Sequence, residues 1–406
     1  MSTLRLTHTS QQLAGTCTVT GSKSESNRLL ILQALFSELE LQNLSNSDDT
    51  QAMIRGLSSL EETIDIGHAG TTMRFLTSYF ATTPSANKVL TGSKRMQERP
   101  IKILVDALRA IGADIEYVKN EGYPPLRISG KEITTDSVEL AANVSSQYIT
   151  SLMLIAPKLP KGLTIHLVGE VTSIPYINMT CSLLQKVGVQ ATFEGQTIQV
   201  FPQQKITPKT VEVESDWSSA SYHFSMVALA KNAQVSIKNY VSDSLQGDSV
   251  LVDIYKQMGV SSSFDGNTLH LIKGGNVQSH IILNLVKAPD IAQTIAVTCF
   301  GLGISCDLTG LHTLKIKETD RLVALDIELS KLGADIRVTN DSLHLAARQN
   351  PILEDVAIDT YHDHRMAMAF APLGIRVPMR VNDPDVVSKS YPTFWDDLRS
   401  LGFSIN

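Results

Sequence analysis

The feature that most constrains the fold of this chain is a short phrase that recurs along it. An apolar residue, two mostly polar residues, a second apolar residue and a glycine are followed by a strand-like run. The five copies end at Gly112, Gly188, Gly259, Gly333 and Gly402, so successive glycines are 76, 71, 74 and 69 residues apart. A repeat of this length indicates a chain assembled from similar supersecondary units.

Each copy has the pattern of a helix that ends and a strand that begins. Residues 101–108 carry apolar side chains at helical spacing, and Gly112 suits a left-handed helix cap. Residues 113–118 then alternate apolar and polar, as a half-buried strand does. A sixth copy ends on Glu61 instead of glycine and lies only 51 residues before Gly112. We therefore expect the first unit to be shortened just after its helix.

Six α+β units in 406 residues suggest two domains of three units each, because one hydrophobic core rarely serves a chain of this length. Ligand sites in such proteins tend to form where the domains face one another.

The charge and cysteine content narrow the class of protein. The net charge is −6 and no block of Lys or Arg occurs, which argues against nucleic acid or an anionic membrane as the partner. No apolar stretch approaches the roughly 20 residues of a membrane helix, and the N-terminus lacks the apolar core of a signal peptide. A cytoplasmic protein is expected. The four scattered cysteines favour buried reduced thiols over a zinc site or disulfides.

The cations of this acidic chain gather in small motifs. In residues 21–28, Gly-Ser-Lys-Ser-Glu-Ser-Asn-Arg, Lys23 and Arg28 lie at the start of an apolar helix, where free N–H groups and the helix dipole favour anions. Arg28 adds a planar fork for a carboxylate or phosphate. The spacing is not that of a P-loop, and a capped helix with surface charges is the alternative.

Five further segments have a similar character, and each has an ordinary alternative. These alternatives are a plain loop before a helix, a charged surface turn, a serine N-cap and, for Glu318 and Arg321, an ion pair on a solvated helix face. A His-Asp-His run from His362 to His364 is poorly spaced for a metal. Together the cations favour the binding of small polyanions. They are Lys23, Arg28, Arg74, Arg99, Lys317, Arg321, Arg365 and Lys389.

Ten motifs, in this order, resemble the enolpyruvyl transferase family, and within it the branch that acts in the shikimate pathway. The likeness extends from Gly21 to Tyr391 and nearly covers the chain. The motifs are GSKSESNR, AGTTMR, RMQERPI, YPPLRI, SSQY, SSASY, QGD, KETDRL, DHRMAM and SKSYP.

The resemblance implies an α+β fold with α/β-type repeats: two similar domains, each built from three βαβαββ-like units, with the first unit shortened. Domain I would be discontinuous, residues 1–20 plus 216–406, and domain II would be residues 21–215, with the active site in the cleft between them. The implied reaction transfers the enolpyruvyl group of phosphoenolpyruvate to the 5-hydroxyl of 3-phosphoshikimate and releases phosphate, in aromatic amino-acid biosynthesis. No metal, cofactor, nucleic acid or membrane partner is implied, and a monomer is expected.

The resemblance also assigns residues. Those implied for 3-phosphoshikimate are Lys23, Ser24, Arg28, Ser145, Ser146, Gln147, Ser173, Tyr176, Asp290, Thr313 and Lys317. Those implied for phosphoenolpyruvate are Lys23, Gly70, Arg99, Gln147, Arg321, Arg365 and Lys389. The family assigns the base to Asp290 and the proton donor to Glu318, with Lys23 and His364 as helpers. The missing Cβ of Gly70 should leave room for glyphosate, an inhibitor that mimics phosphoenolpyruvate.

The chain departs from the family pattern at several positions. His68, Thr313 and His362 each replace an expected Asn, and Phe75 replaces an expected Pro. The segment between Asp49 and His68 is also shorter than the family pattern. This shortening lies where the repeat is short.

Two rival functions stay open. A relative that transfers enolpyruvyl to a UDP-sugar would have Asn after the first Lys and a reactive loop Cys. Here Ser24 follows Lys23, and no Cys occurs between Cys17 and Cys181. An inactive, polyanion-binding relative is the second alternative, which the shortened segment favours and the intact charged motifs oppose.

Overall fold

The computed structural model describes residues 2–142, 145–169, 171 and 174–406. The chain divides into two compact units: unit 1, Met1–Thr20 with Glu214–Asn406, and unit 2, Gly21–Val213. The chain returns from unit 2 to unit 1 at Glu214, two residues before the predicted boundary at residue 216.

The strands and helices follow one another along the chain in short elements. The strands are β1 (Thr3–Thr7), β2 (Gln12–Thr18), β3 (Leu39–Gln42), β4 (Thr63–Asp65), β5 (Asn87–Thr91), β6 (Asp114–Tyr117), β7 (Leu126–Ser129), β8 (Ser137–Ala141), β9 (Leu163–Val168), β10 (Ala191–Glu194), β11 (Thr197–Val200), β12 (Lys209–Glu212), β13 (Asn232–Lys238), β14 (Met258–Asp265), β15 (Thr268–Val277), β16 (His280–Asn284), β17 (Ser305–Thr309), β18 (Ile336–Val338), β19 (Leu343–Leu345), β20 (Val356–Ile358), β21 (Met379–Asn382) and β22 (Ser404–Ile405). The helices are α1 (Lys23–Leu35), α2 (Asp48–Ser58), α3 (Gly70–Ala81), α4 (Lys102–Ala110), α5 (Ser146–Ile155), α6 (Ile174–Lys186), α7 (Trp217–Leu229), α8 (Leu251–Lys256), α9 (Ala292–Leu302), α10 (Arg321–Lys331), α11 (His364–Phe370) and α12 (Phe394–Ser400).

Five sheets share one four-stranded topology. In the sheet ordered β4-β5-β7-β6, β4 is parallel to β5, and β7 is antiparallel to both β5 and β6. Helix α3 connects the parallel strands, α4 leads to β6, and a hairpin completes the βαβαββ order. The other four sheets repeat the arrangement: β8-β9-β11-β10 in unit 2, and β2-β13-β15-β14, β16-β17-β19-β18 and β20-β21-β1-β22 in unit 1.

The sixth sheet is short. It pairs β12 and β3 in parallel, with Leu39 opposite Lys209 and Gln42 opposite Glu212. After α2 ends at Ser58 the chain enters β4 at Thr63, so the described residues contain no antiparallel hairpin to complete this sheet. The missing pair falls where the glycine phrase is absent and the repeat spacing is short.

The glycines of the repeated phrase adopt the left-handed conformation predicted for them. The φ angles of Gly112, Gly188, Gly259, Gly333 and Gly402 are 109°, 96°, 76°, 94° and 95°. They follow α4, α6, α8, α10 and α12, each of which leads into an antiparallel strand. The prediction of helix ends at these positions is confirmed, because only glycine adopts such angles without strain.

The central helices of each unit are buried along most of their length. Every residue of α7 is buried, as is α9 from Ala292 to Gly301, and in unit 2 all of α3 except Tyr79 is buried. All four cysteines are buried and free. Within the described ranges, no helix has the length and apolarity needed to cross a bilayer. The buried helices matter for function because several of them begin at residues that the sequence singled out.

Candidate active site

The charged motifs lie at the first turns of helices. Lys23 begins α1, Gly70 begins α3, Ser146 begins α5 and Arg321 begins α10. The first turn of a helix presents unpaired backbone N–H groups and the positive end of its dipole. Each of these positions therefore favours an anion next to its side chains.

Lys23 is oriented by a carboxylate that the sequence did not single out. Its Nζ lies 3.6 Å from Oδ2 of Asp49, whose side chain is nearly buried. The other oxygen of Asp49, Oδ1, forms no hydrogen bond with a described residue. Asp49 reads as an ordinary acidic residue in the first turn of a helix, so the sequence carried no signal for this contact.

Arg28 is a buried cation with neutral partners. It donates from Nε to the Thr180 hydroxyl (2.9 Å), from Nη1 to the Ser24 carbonyl (2.7 Å) and from Nη2 to the Thr150 hydroxyl (3.3 Å). Burial lowers the pKa of Arg28 to about 10, although Tyr176 and Glu25 oppose the shift. Among the described residues no carboxylate forms an ion pair with it. Arg28 is thus a buried cation whose hydrogen-bond partners are neutral, and this environment favours the binding of an anion.

Two aromatic rings flank this guanidinium. Its Cζ lies 5.8 Å from the ring centroids of both Phe75 and Tyr176. Phe75 is one of the departures from the family pattern, and here its ring contributes to a cation–π contact. The structure therefore places Tyr176 beside Arg28, whereas Ser173 lies outside the described residues.

Two arginines, Arg74 and Arg99, lie beside Gly70 at the start of α3. Arg74 is buried and donates to the carbonyls of Gly70 (3.0 Å) and Pro100 (3.2 Å), while its Nε has no partner. Burial, and next the charge of Arg99, lower the pKa of Arg74. Arg99 forms no ion pair within the described part of unit 2. A β-carbon added to Gly70 would lie 2.6 Å from Nη1 of Arg99. The guanidinium can therefore occupy this position because residue 70 has no side chain.

The serine motif forms the start of α5. Ser145 is the N-cap, and its hydroxyl accepts the backbone N–H of Gln147 at 3.4 Å. The side chain of Gln147 donates to the Thr71 hydroxyl of α3 at 3.1 Å. Ser146 is buried. The motif thus connects α5 to the first turn of α3, and Ser145 is an N-cap, as the ordinary alternative predicted.

In unit 1, the carboxylate of Asp290 forms ion pairs with three cations. Its Oδ1 is 3.0 Å from Nη1 of Arg321 and 3.5 Å from Nζ of Lys317, and its Oδ2 is 3.3 Å from Nη2 of Arg365. Burial raises the pKa of Asp290, but the three cations, Arg365 foremost, outweigh burial and hold it well below the usual range. The group is therefore a carboxylate at neutral pH, and it is a weak base as long as the three cations are paired with it.

Glu318 shares one of these cations. Its Oε2 lies 3.0 Å from Nη2 of Arg321, and its Oε1 lies 2.5 Å from Nζ of Lys389. Burial raises the pKa of Glu318, and the charges of Arg321 and Lys389 lower it well below its ordinary value. The expected i,i+3 pair with Arg321 exists, but the helix-face alternative is wrong, because Glu318 precedes α10 and the Arg321 side chain is only 2% exposed.

Arg321 joins three carboxylates. Besides Asp290 and Glu318 it donates from Nε to Oδ2 of Asp363 at 2.7 Å and from Nη2 to Oδ1 at 3.4 Å. The Asp363 side chain is fully buried and also caps α11 by accepting the backbone N–H of Arg365 at 2.9 Å. The sequence motif contained Asp363 but gave no reason to assign it this role. We call the set the carboxylate cluster: Asp290, Lys317, Glu318, Arg321, Asp363, Arg365 and Lys389.

Two residues assigned by resemblance, His364 and Thr313, each have a buried polar atom without a hydrogen bond among the described residues. Burial, and next Arg365, lower the pKa of His364 well below its usual value, so its imidazole is neutral at physiological pH. Its Nδ1 lies 3.6 Å from Oδ1 of Asp363 without a hydrogen bond. The Thr313 hydroxyl is buried and also has no hydrogen bond among the described residues.

Arg365 has a further support that the sequence did not reveal. Its Nη2 donates to the Ser218 hydroxyl at 3.2 Å, and that hydroxyl donates to Asp248. Burial, and next the charge of Asp290, raise the pKa of Asp248 to about 6. The motifs that contain Ser218 and Asp248 therefore converge on the guanidinium that binds Asp290.

The chemistry available in unit 1 is proton transfer beside strong electrostatic stabilisation of anions. Two carboxylates bind the two terminal nitrogens of one arginine, and each has at least one further cation beside it. In the described parts of the chain no group of His, Cys, Asp and Glu side chains is arranged to hold a metal ion. In the described part of unit 2, the guanidinium groups of Arg28 and Arg99 form no ion pair with a carboxylate, whereas Lys23 is paired with Asp49.

Known proteins match this chain along nearly its whole length. The family model described as EPSP synthase (3-phosphoshikimate 1-carboxyvinyltransferase) matches residues 7–65 and 61–398, two segments that meet at the shortened unit. The 3-phosphoshikimate 1-carboxyvinyltransferase of Bacteroides fragilis is 46% identical over 404 residues, which cover 97% of each chain. The protein of that name from Shewanella baltica is 35% identical over 425 residues, covering 96% of this chain and 97% of the relative.

The fold is similar as well. An EPSP synthase structure from Acinetobacter baumannii superimposes with a TM-score of 0.81 at 21% identity, and the match covers 100% of both chains. The prediction of a mixed α/β fold of this type is confirmed. Together with the family model and the full-length relatives, this agreement settles the family: the chain belongs to the EPSP synthase family.

Proposed function

We propose that the protein transfers the enolpyruvyl group of phosphoenolpyruvate to the 5-hydroxyl of 3-phosphoshikimate and releases phosphate. The observation that carries this function is the carboxylate cluster. It holds Asp290 and Glu318 on one buried arginine, each with a further cation beside it. The names of the full-length relatives support the same reaction.

The anion sites correspond to the groups that the substrates bring. Each substrate carries a phosphate and a carboxylate, and both are best bound by arginine and lysine side chains. Arg28 has hydroxyl and carbonyl partners but no carboxylate, so a ligand anion would complete its coordination. Arg99 has an unpaired guanidinium beside Gly70, which suits phosphoenolpyruvate.

The reaction needs a base for the 5-hydroxyl and an acid for the enol carbon. Asp290 is held as a carboxylate by three cations, and it would take the hydroxyl proton once bound substrate anions draw charge from those cations. Glu318 is held ionised by Arg321 and Lys389, so it must gain its proton as substrate binds. A bound anion would compete for these two cations and raise the pKa of Glu318 towards neutrality. The cations would then stabilise the charge of the tetrahedral adduct.

The rival functions make different predictions for one assay. The protein is mixed with phosphoenolpyruvate and 3-phosphoshikimate, and phosphate release is measured over time. Release only with a UDP-sugar as acceptor would indicate the other transferase. If both substrates bind but no phosphate appears, the protein is a binding relative. We expect release with 3-phosphoshikimate alone as the acceptor, since the carboxylate cluster is complete.

Replacing Arg28 with methionine should separate binding from stability. Because the buried cation lacks a carboxylate partner, its removal should leave the free energy of unfolding unchanged or higher. The KM for 3-phosphoshikimate should rise about 100-fold, as expected when one partner of a buried charge pair is truncated. Steady-state kinetics and urea unfolding measure the two effects. Arg127→Met, which removes an exposed ion pair with Glu62 in the same unit, is the control and should leave KM unchanged.

Replacing Gly70 with alanine should weaken binding of phosphoenolpyruvate. The new methyl group would meet Nη1 of Arg99 at 2.6 Å, and the flexible guanidinium would move away. We expect a KM for phosphoenolpyruvate at least about tenfold higher, weaker inhibition by glyphosate and little change in melting temperature. Gly274→Ala is the matched control, because its β-carbon would have no neighbour within 4 Å. Insensitivity of the unmodified protein to millimolar glyphosate would contradict the assignment of Gly70.

A further inference from the structure

The segment immediately before Asp363 has a strained backbone. Tyr361 and His362 have φ angles of 54° and 55°, so two consecutive residues with β-carbons adopt the left-handed conformation. Such residues cost free energy and persist only where their surroundings hold them. Asp363 then caps α11 and binds Arg321.

The segment is held by a buried carboxylate that the reaction itself does not use. The Tyr361 hydroxyl donates to Oε1 of Glu328 at 2.6 Å, and the backbone N–H of Asp359 donates to Oε2 at 3.2 Å. The Glu328 side chain is 0% exposed, and Nζ of Lys331 lies 2.8 Å from Oε1. The same Nζ lies 2.8 Å from Oδ2 of Asp359. Tyr361 and Asp359 are therefore both anchored to α10.

The other side of the segment contacts β21 and the turn after it. Asn382 donates to Oδ1 of Asp359 at 2.7 Å, and Nδ1 of His362 lies 3.1 Å from Oδ2 of Asp383. The His362 pair is largely exposed and contributes little, whereas the Glu328 contacts are buried.

Two residues of helix α10 bind the segment 359–365. Arg321 at its first position binds Asp363, and Glu328, seven residues later, binds Tyr361. Seven residues are close to two helical turns, so Arg321 and Glu328 lie on the same face of α10. The backbone from 359 to 365 is thus fixed to one rigid element on both sides of the strained pair.

We propose that Tyr361 and Glu328 are positioning residues that set the placement of Arg365 against Asp290. Arg365 follows the anchored segment, and its backbone N–H is bound by Asp363. Its guanidinium donates to the carbonyl of Asp290 at 3.1 Å and lies 3.3 Å from Oδ2 of the same residue. A shift of the strained turn would therefore be transmitted to Arg365. The inference rests on the proposed function, in which Arg365 binds phosphoenolpyruvate.

The test is Tyr361→Phe, which removes the hydroxyl and keeps the ring. The KM for phosphoenolpyruvate should rise about tenfold, which is the effect of losing one hydrogen bond to a charged group. The KM for 3-phosphoshikimate should stay within about twofold, because Asp290 keeps its contacts with Lys317 and Arg321 and the residues of unit 2 are untouched. The control is Tyr255→Phe, which loses a buried hydrogen bond to Thr298 and has no contact with Glu328. A purely structural role would give both variants the same kinetics and a similar loss of stability.

A second measurement needs no substrate. The backbone N–H of Arg365 donates to Asp363, so its hydrogen exchange reports the placement of the turn. Exchange of this amide should become about tenfold faster in Tyr361→Phe and remain unchanged in Tyr255→Phe. Unaltered exchange together with an unaltered KM would overturn the proposal. If unmodified protein releases no phosphate while the amide still responds to Tyr361→Phe, the proposed function fails and the positioning role stands.

Discussion

Replacing Arg321 with methionine should destabilise unit 1 by about 3–5 kcal/mol, the usual cost of removing one partner from a buried ion pair. The side chain of Arg321 is 2% exposed and binds Asp290, Glu318 and Asp363. Asp363 is completely buried, and Arg321 is its only cation of the arginine or lysine type among the described residues. Methionine fills a similar volume but leaves this carboxylate without a compensating charge.

Urea unfolding followed by tryptophan fluorescence measures this loss in the correct part of the chain. The sequence contains only two tryptophans, Trp217 and Trp395, and both lie in unit 1 and are buried. Their signal therefore reports unit 1 even if the two units unfold in separate transitions. Lys317→Met is the matched control, because Lys317 is 35% exposed and lies near one carboxylate only. A loss below about 1 kcal/mol for the Arg321 variant would show that Asp363 is compensated in another way.

The pH dependence of the same transition has a definite sign. The pKa values of Asp290 and Glu318 are held below their ordinary values, so the unfolded chain binds protons more readily. Their contribution to stability is present above the unfolded pKa of about 4 and is lost as the pH falls through the folded values. Without Arg321 this contribution shrinks, and acid unfolding of unit 1 should begin at a higher pH.

Much of the fold was predictable because the structure of the repeated phrase depends only on residues that are neighbours in the sequence. A glycine after the last apolar residue of a helix needs only its neighbours to adopt a left-handed cap, and all five such glycines do so. The short first unit was visible for the same reason, since Glu61 replaces the glycine and the spacing contracts. The absence of a hairpin after α2 in the described residues agrees with that reading.

The partners in the site could not be predicted from local sequence. Arg321 meets Asp290, 31 residues earlier in the same repeat unit, and Asp363, 42 residues later in the next unit, because these units pack in one core. Asp49 and Lys23 likewise meet only because α1 and α2 pack together. The motif matches identified which segments carry charge, but the side chain that each charge meets depends on tertiary packing.

Replacing Asp290 with asparagine should abolish most catalysis without unfolding the protein. Asparagine keeps the shape of the side chain, and its single oxygen can still accept a hydrogen bond from Arg321, but it cannot take the proton of the 5-hydroxyl. We expect kcat to fall by about 10²–10⁴-fold, the usual contribution of a general base.

The two KM values distinguish loss of the base from loss of the binding site. Asp290 now neutralises three cations, and without its charge Arg365 is freer to bind an anion. The KM for phosphoenolpyruvate should therefore stay constant or fall while kcat collapses, which a general disruption of the site would not produce. Asp307→Asn, which removes a half-exposed carboxylate paired with His280 and His344 in the same unit, should leave both constants unchanged. If Asp290→Asn kept kcat within about tenfold, Asp290 would serve as an electrostatic partner of Arg365, and the base would have to be another group.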